Sequence, residues 1–289
     1  MNIAQEDERG FGGGLMKERL TGWAIAAAAV FSLAPVPAGG QVGGGQGLPR
    51  TSDGRPDMSG IWQVINHAAW NIQDQNAAPG PRETPWLGIP ASRGVVEGND
   101  IPYQPWARAK KEENYKNRLT LDPETNCYLP GVPRITYMPF PFQIIQTPTS
   151  IAILYEYVHA IRNIFMDGSP HPAGAIEWWM GDSRGRWDGD TLVVSVKHFN
   201  ADTWFDRMGN FHSENMQLTE RYTFVDRDTI NYEVDVNDPK VFTRPWKMSM
   251  LLYRRKEPNV QLLEYACYAF DGVAVGTRAT DQIEGVRPQ

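Results

Sequence analysis

An all-β fold, a single antiparallel barrel of about ten strands with one short helix, is the architecture the sequence predicts. Three observations predict it. From residue 134 onward, short segments rich in β-branched and aromatic residues follow one another, separated by Pro, Gly or polar pairs. No alternation of strands with helices is present to build a parallel sheet. Aromatic residues make up 11% of the chain, a supply that suits sheet cores and pockets stacking on flat ligands. A two-sheet β-sandwich is the alternative use of the same strands.

Taken in order, Lys17 and Arg19 precede the apolar run LTGWAIAAAAVFSLAPVP, and Val36-Pro37-Ala38 carries the small residues that signal peptidase reads. Residues 1–38 are therefore expected to be a signal peptide, and Met16 opens a more conventional one than Met1. Residues 39–56 (GGQVGGGQGLPRTSDGRP) have the composition of a flexible leader. The remainder, 57–289, is expected to be a single β-barrel domain. GIWQVI reads as its first strand, and the Pro-, Gly- and Asn-rich stretch to about residue 103 as irregular. Residues 104–117 (QPWARAKKEENYKN) read as the helix, opened by Pro105. RITYMP, FQIIQT, SIAILYEY, AIRNIFM, DTLVVSVKHF, NMQLTERYTFV, DTINYEVDV, WKMSMLLYRR and QLLEYACYAF read as strands. Asp188-Gly189 reads as a two-residue type I′ turn pairing Trp187 with Asp190. The phrase Asp-x-Asp-Thr recurs in VDRDTINY, as shared turn chemistry.

The net charge of -6 and pI near 5.4 argue against nucleic acid or anionic lipid as a partner. No stretch reaches about 18 uninterrupted apolar residues, so no membrane span is expected. Cys127 and Cys267 are the only cysteines. An even count in an exported chain implies a disulfide, with two buried free thiols as the other reading, and a periplasmic or secreted location. No metal and no cofactor is expected. Two cysteines are too few for a cysteine zinc site, and nothing in the spacing of His212-x-Glu214 with His171 or His198 demands an ion.

Gly181-Asp182-Ser183-Arg184-Gly185 fits the G-x-S-x-G of nucleophile elbows. An elbow needs a strand before it and a helix after it, whereas a hairpin turn and a strand follow here. The serine reads as part of a polar connection, and Asp182 as a candidate buried carboxylate. In FHSENMQLTERYTFV, the residues Met216, Leu218, Tyr222 and Phe224 share a parity with His212, Glu214 and Glu220. If that face looks inward, His212 and Glu214 form a candidate acid–base pair. The competing reading is a loop or a buried structural network. Arg244, Trp246, Met248, Met250 and Leu252 also share a parity, with Arg244 a candidate to polarise a substrate oxygen and Trp246 to stack on a ring. Tyr222 and Met248 complete the candidate substrate wall. His171 lies between Pro170 and Pro172 in a loop, where a stiff backbone can aim the imidazole.

PDMSGIWQ, NCYLPGVPR, PFQIIQTP, MDGSPHP, WMGDSRGRWDGDTLVVSVKHFN, HSENMQLTERY, DTINYEVDVNDP and FTRPW, in this order, resemble a large, mostly uncharacterised family of exported bacterial proteins. The likeness runs from about Asp57 to about Ala279. It implies export and no particular reaction. That family usually carries a phrase like ACHEGNY after the late cysteine; Ala266-Cys267-Tyr268-Ala269-Phe270-Asp271-Gly272 stands here instead, which implies a more aromatic site. Gly60-x-Trp62 also resembles the first-strand signature of lipocalins, whose barrels hold apolar ligands. The expected function is cofactor-free acid–base chemistry, by a lyase, isomerase, cyclase or hydrolase, on an apolar or aromatic small molecule held in the barrel. The alternatives are a carrier of a small hydrophobic ligand and a carbohydrate-binding sandwich.

Overall fold

Alternation of buried and exposed side chains builds the strands, and their order along the chain is their order in space. The computed structural model describes residues 47–80, 82 and 88–267. The expected signal peptide, the leader before residue 47 and the end of QLLEYACYAF lie outside the described residues. The strands are β1 (Gly60–Val64), β2 (Phe142–Gln146), β3 (Ser150–Tyr155), β4 (Ile161–Phe165), β5 (Asp182–Asp188), β6 (Thr191–Lys197), β7 (Gln217–Asp226), β8 (Thr229–Asn237) and β9 (Trp246–Arg254). They form one closed barrel, with β9 pairing back onto β1.

The barrel has nine strands among the described residues rather than about ten, and the differences have local causes. RITYMP does not extend: Arg134–Tyr137 makes a four-residue helix, α3, whose residues are all buried, so packing overrides their β-branched character. Gln261–Cys267 carries a single bridge, Tyr157 to Tyr265, instead of a strand. Conversely, the glycine-flanked Asp182–Asp188 is a full strand, not a connection. Gly181 turns the chain into it at φ 66°, where a Cβ would lie 2.7 Å from Val196 Cγ1. Gly185 leaves room for Met166 and Ile164 to close over β5. The two glycines of the G-x-S-x-G phrase therefore serve backbone geometry.

An odd number of strands cannot alternate direction around a closed ring, so one neighbouring pair has to run parallel. That pair is β4–β5, and the sheet is mixed, not wholly antiparallel. A parallel pair needs a long crossover, here residues 166–181. The two strands meet at only Ile164–Ser183 and Phe165–Arg184, which leaves Ile161–Asn163 without a ladder partner on β5. A seam opens in the wall beside the long connection.

Both Asp-x-Asp-Thr phrases close a hairpin over two residues. Asp188 pairs with Thr191 and Asp226 with Thr229. The first turn thus centres on Gly189-Asp190, one residue later than the type I′ reading, with Gly189 at φ 58°.

Side chains fill the barrel interior. Trp62, Phe142, Tyr222, Tyr232, Met248 and Leu252 are buried there. Arg254 lies over Trp62 at 4.2 Å, and the indole N–H donates to the Met58 carbonyl, which closes one end. Helix α1 (Pro105–Lys116) matches its expected span; the short α2 (Arg118–Leu121) follows it, so helices number more than one. Cys127 and Cys267 form the expected disulfide, closing a separation of 140 residues. A loop of that length stabilises the fold by about 4 to 5 kcal/mol on the chain-entropy model. Near the start of the described chain, Arg50 reaches Asp190 on the β5–β6 turn at 2.7 Å.

Candidate active site

The β5–β6 register creates the site. Asp182 stands opposite Lys197, and Arg184 opposite Ser195. All four project outward, since Ser183, Val194 and Val196 of the same strands are the residues packed inside. His171, carried over this face by the crossover connection, bridges the diagonal. Its Nδ1 lies 2.6 Å from Asp182 Oδ2 and its Nε2 lies 3.0 Å from Ser195 Oγ. The connection is pinned on both sides: Arg184 donates to Ser169 Oγ at 2.5 Å, and the Trp178 amide donates to the His198 carbonyl at 2.8 Å.

The charges assign the protons. Arg184 donates Nε–H to Asp182 Oδ2 and Nη2–H to Oδ1, both at 2.8 Å. Burial pushes the Asp182 carboxyl up, but Arg184 and His171 outweigh it and hold the group below the usual carboxylate range. An ionised carboxylate only accepts, so His171 Nδ1 carries a proton and Nε2 is left to accept the Ser195 hydroxyl. Burial pushes the His171 imidazole below its ordinary value against the pull of Asp182, and Lys197 and Arg184 add to the depression. The ring is therefore neutral at pH 7, the form a general base requires. This chain of serine, imidazole and carboxylate is the arrangement that activates a hydroxyl nucleophile.

Two recesses adjoin the Asp182–Lys197 pair. A slot of about 580 Å³ follows the β4–β5 seam, walled by Ile161, Phe165, Ile176, Trp178 and Trp179, with Asp182 and Ser183 also lining it. A second recess of about 440 Å³ is lined by Lys197, Asn215, Gln217 and Asn237. Ile176 and Glu177 line both.

Of the residues proposed from sequence, the fold brings together Asp182 and His171. Asp182 lies against His171. The other proposed residues are elsewhere. His212 is buried between Phe199 and Phe205, donates Nδ1–H to the Ser213 carbonyl at 2.9 Å and accepts from Thr203 Oγ1 at 2.6 Å. Burial lowers its pKa, and both nitrogens are occupied. Glu214 points outward, 39% exposed, in an ion pair with Lys240. The shared parity of His212 and Glu214 fails because β7 begins only at Gln217. Arg244 is 59% exposed and paired with Asp100, outside the barrel. Trp246, Tyr222 and Met248 do face inward, into the packed interior. Among the described residues no three His, Cys, Asp or Glu side chains converge as a metal site.

Ser195, Arg184 and Lys197 escaped the sequence reading. Ser195 sits at the solvent parity of an ordinary strand, and only the register and the crossover give it a partner. A second polar group, inside the barrel, was half visible in the inward parity of Glu220. Arg162 donates to both Glu220 oxygens and to Ser183 Oγ, and Tyr232 donates to Glu220 at 2.5 Å. Comparison of the chain with protein-family models, with curated proteins and with solved structures finds no match.

Proposed function

We propose that the protein is a cofactor-free acyl hydrolase of an oxidising, extracytoplasmic compartment, with Ser195 as nucleophile, His171 as general base and Asp182 as the residue that positions the imidazole. The observation that carries this reading is the unbroken hydrogen-bond chain from Ser195 through His171 to Asp182. It narrows acid–base chemistry on an apolar or aromatic small molecule to acyl transfer, and it moves the chemistry from the barrel lumen to the outer wall. Lys197, two residues from Ser195 on the same face, supplies the positive charge for the oxyanion. The Cys127–Cys267 disulfide supports the compartment. Labelling with a fluorophosphonate probe tests the reading. Ser195 is expected to be modified in the native chain and unmodified in His171→Ala; an unlabelled Ser195 in folded protein would sink it.

The second reading is ligand binding without turnover. One observation favours it: β6 is paired on both sides at Ser195, with Arg184 and Thr219, so the local amides serve the sheet instead of an oxyanion. Incubation of a bound ester with the protein, followed by mass spectrometry, separates the two readings.

A further inference from the structure

We infer that the substrate is an ester joining an aromatic carboxylic acid to an uncharged polyhydroxylated alcohol, with the ring in the β4–β5 slot and the alcohol in the Lys197 recess. The inference rests on Ser195 as nucleophile and adds what the two recesses select. They meet across the Asp182–Lys197 cross-strand pair: Asp182 lines the slot, Lys197 lines the recess, and Ile176 with Glu177 lines both, next to the strands that carry Ser195 and Asp182.

Their chemistries differ. In the slot, Trp178 is 38%, Phe165 39% and Ile161 63% exposed. Large rings and aliphatic groups left open to water beside polar catalytic side chains are a binding wall for a flat apolar body. Trp178 is held edge-on to His198 at 5.9 Å and its backbone is bonded at both N–H and C=O, so the wall is set before a ligand arrives. Opposite, Asn215, Gln217 and Asn237 offer amide donors and acceptors together, the match for hydroxyl groups, each of which both donates and accepts. Glu214, at the rim of the recess, is already neutralised by Lys240, and the Lys197 ammonium and Glu177 carboxylate both line it, so the recess presents no net charge to an ionic alcohol. A ligand of one ring and one polyol unit falls within the size range for pockets of about 300 to 1,000 Å³.

The chemistry balances with water as the only co-reactant. Ser195 Oγ bonds to the ester carbonyl carbon while its proton passes to His171 Nε2. The carbon–oxygen bond to the alcohol breaks, and the departing alkoxide takes that proton. Water then attacks the acyl-serine, losing a proton to His171, and the bond to Oγ breaks with proton return to the serine. The products are the aromatic acid and the free polyol.

Four measurements on the full chain test this. Hydrolysis is compared for the cinnamoyl ester of glycerol, methyl cinnamate and glyceryl acetate, each with its kcat/KM. The full ester is expected to exceed either truncated ester by about 10-fold or more, the scale on which one well-filled subsite discriminates. Trp178→Ala is expected to collapse the preference over glyceryl acetate, and Asn215→Ala with Gln217→Ala the preference over methyl cinnamate. The fourth measurement is tryptophan fluorescence of Ser195→Ala titrated with the glycerol ester, where saturable quenching reads binding without turnover. Equal rates on all three esters, each dependent on Ser195, would overturn the substrate assignment and leave the hydrolase intact. Saturable binding with no hydrolysis of any ester would uphold the two recesses and overturn Ser195 as nucleophile. Neither binding nor hydrolysis would overturn both.

Discussion

Arg184 grips Asp182 through two nitrogens on the same strand, Nε to Oδ2 and Nη2 to Oδ1, each at 2.8 Å. The bidentate clamp fixes the carboxylate plane, and Oδ2 is thereby aimed at His171. Orientation of the imidazole thus depends on Arg184, two residues from Asp182 on β5, and not on the histidine's own loop alone.

The clamp makes Asp182→Asn informative. An amide presents either an oxygen or an NH₂ to His171, and Arg184 competes for the oxygen. The imidazole is then free to take the wrong tautomer. The expected loss is about 10² to 10⁴-fold in kcat with little change in KM, as for other positioned acid–base groups. Steady-state kinetics on any ester that the native chain turns over checks this, and an unchanged kcat would remove Asp182 from the mechanism.

The pH dependence follows from His171. A general base works when unprotonated, and burial together with Lys197 and Arg184 holds this imidazole below its ordinary value. Activity is therefore expected to rise with pH to a plateau, with the midpoint of the acid limb in kcat/KM below about 6.5, the unperturbed histidine value. Lys197→Met removes a positive charge that disfavours the imidazolium, so the midpoint moves up. Under the proposed mechanism it also lowers kcat, because the ammonium is then lost as the partner of the oxyanion. A pH profile of the variant superimposing on the native one would show that Lys197 is remote from the base.

Much of the barrel was legible, because alternation is a local signal. Leu218, Tyr222 and Phe224 face inward as their parity requires, and Trp246, Met248, Met250 and Leu252 do the same on β9. Parity carries no information beyond the end of a strand, which is why His212 and Glu214, lying before Gln217, went their separate ways. The Ser195–His171–Asp182 diagonal was illegible for a different reason. Ser195 and His171 are 24 residues apart, and their meeting depends on the β5–β6 register and on a strand count that makes one pair parallel. Gly181 and Gly185 hid β5, since glycine suggests a loop until the close approach of Met166 and Ile164 to Gly185 is seen.

His212 is expected to matter for stability and not for chemistry. Both ring nitrogens bond to protein groups, and two phenyl rings pack against it. His212→Ala opens a cavity and strands the Ser213 carbonyl, at a cost of about 2 to 4 kcal/mol. Denaturation should show that loss, while kcat of the folded fraction stays at the native level. A selective loss of kcat would return His212 to the catalytic set.

Inside the barrel, Arg162 and Glu220 are a fully buried ion pair, with side chains 1% and 0% exposed. Burial works against the Arg162 charge, but Glu220 and its neighbours outweigh it and hold the guanidinium protonated. Arg162→Met leaves Glu220 buried without its ionic partner, at an expected cost of about 3 to 5 kcal/mol. Adding Glu220→Leu removes the orphan, so the double variant should recover much of that loss. Urea denaturation of the native chain, both single variants and the double variant measures the coupling directly; additive losses would mean that the two charges act independently.

Asp206 gives the last test, and its sign is opposite to that of most carboxylates. The side chain is fully buried and accepts from the amides of Ile72, Met208 and Asn210 and from the Asn210 side chain. Burial raises its pKa to about 6, because these hydrogen bonds and Arg134 only partly offset the loss of water. A folded value above the unfolded one means that the native state holds the proton more tightly. The resulting stability is fully present below about pH 4, the unfolded carboxylate range, and is lost as pH rises through about 6, a change of roughly 2 to 3 kcal/mol. Asp206→Asn cannot ionise, so its cost relative to the native chain should be greatest near pH 4 and smaller by that amount near pH 7.5. Comparing the two proteins at each pH cancels the opposing slope from carboxylates such as Asp182, whose stabilisation is instead lost as pH falls. A penalty independent of pH across this window would show that Asp206 is ionised in the fold throughout.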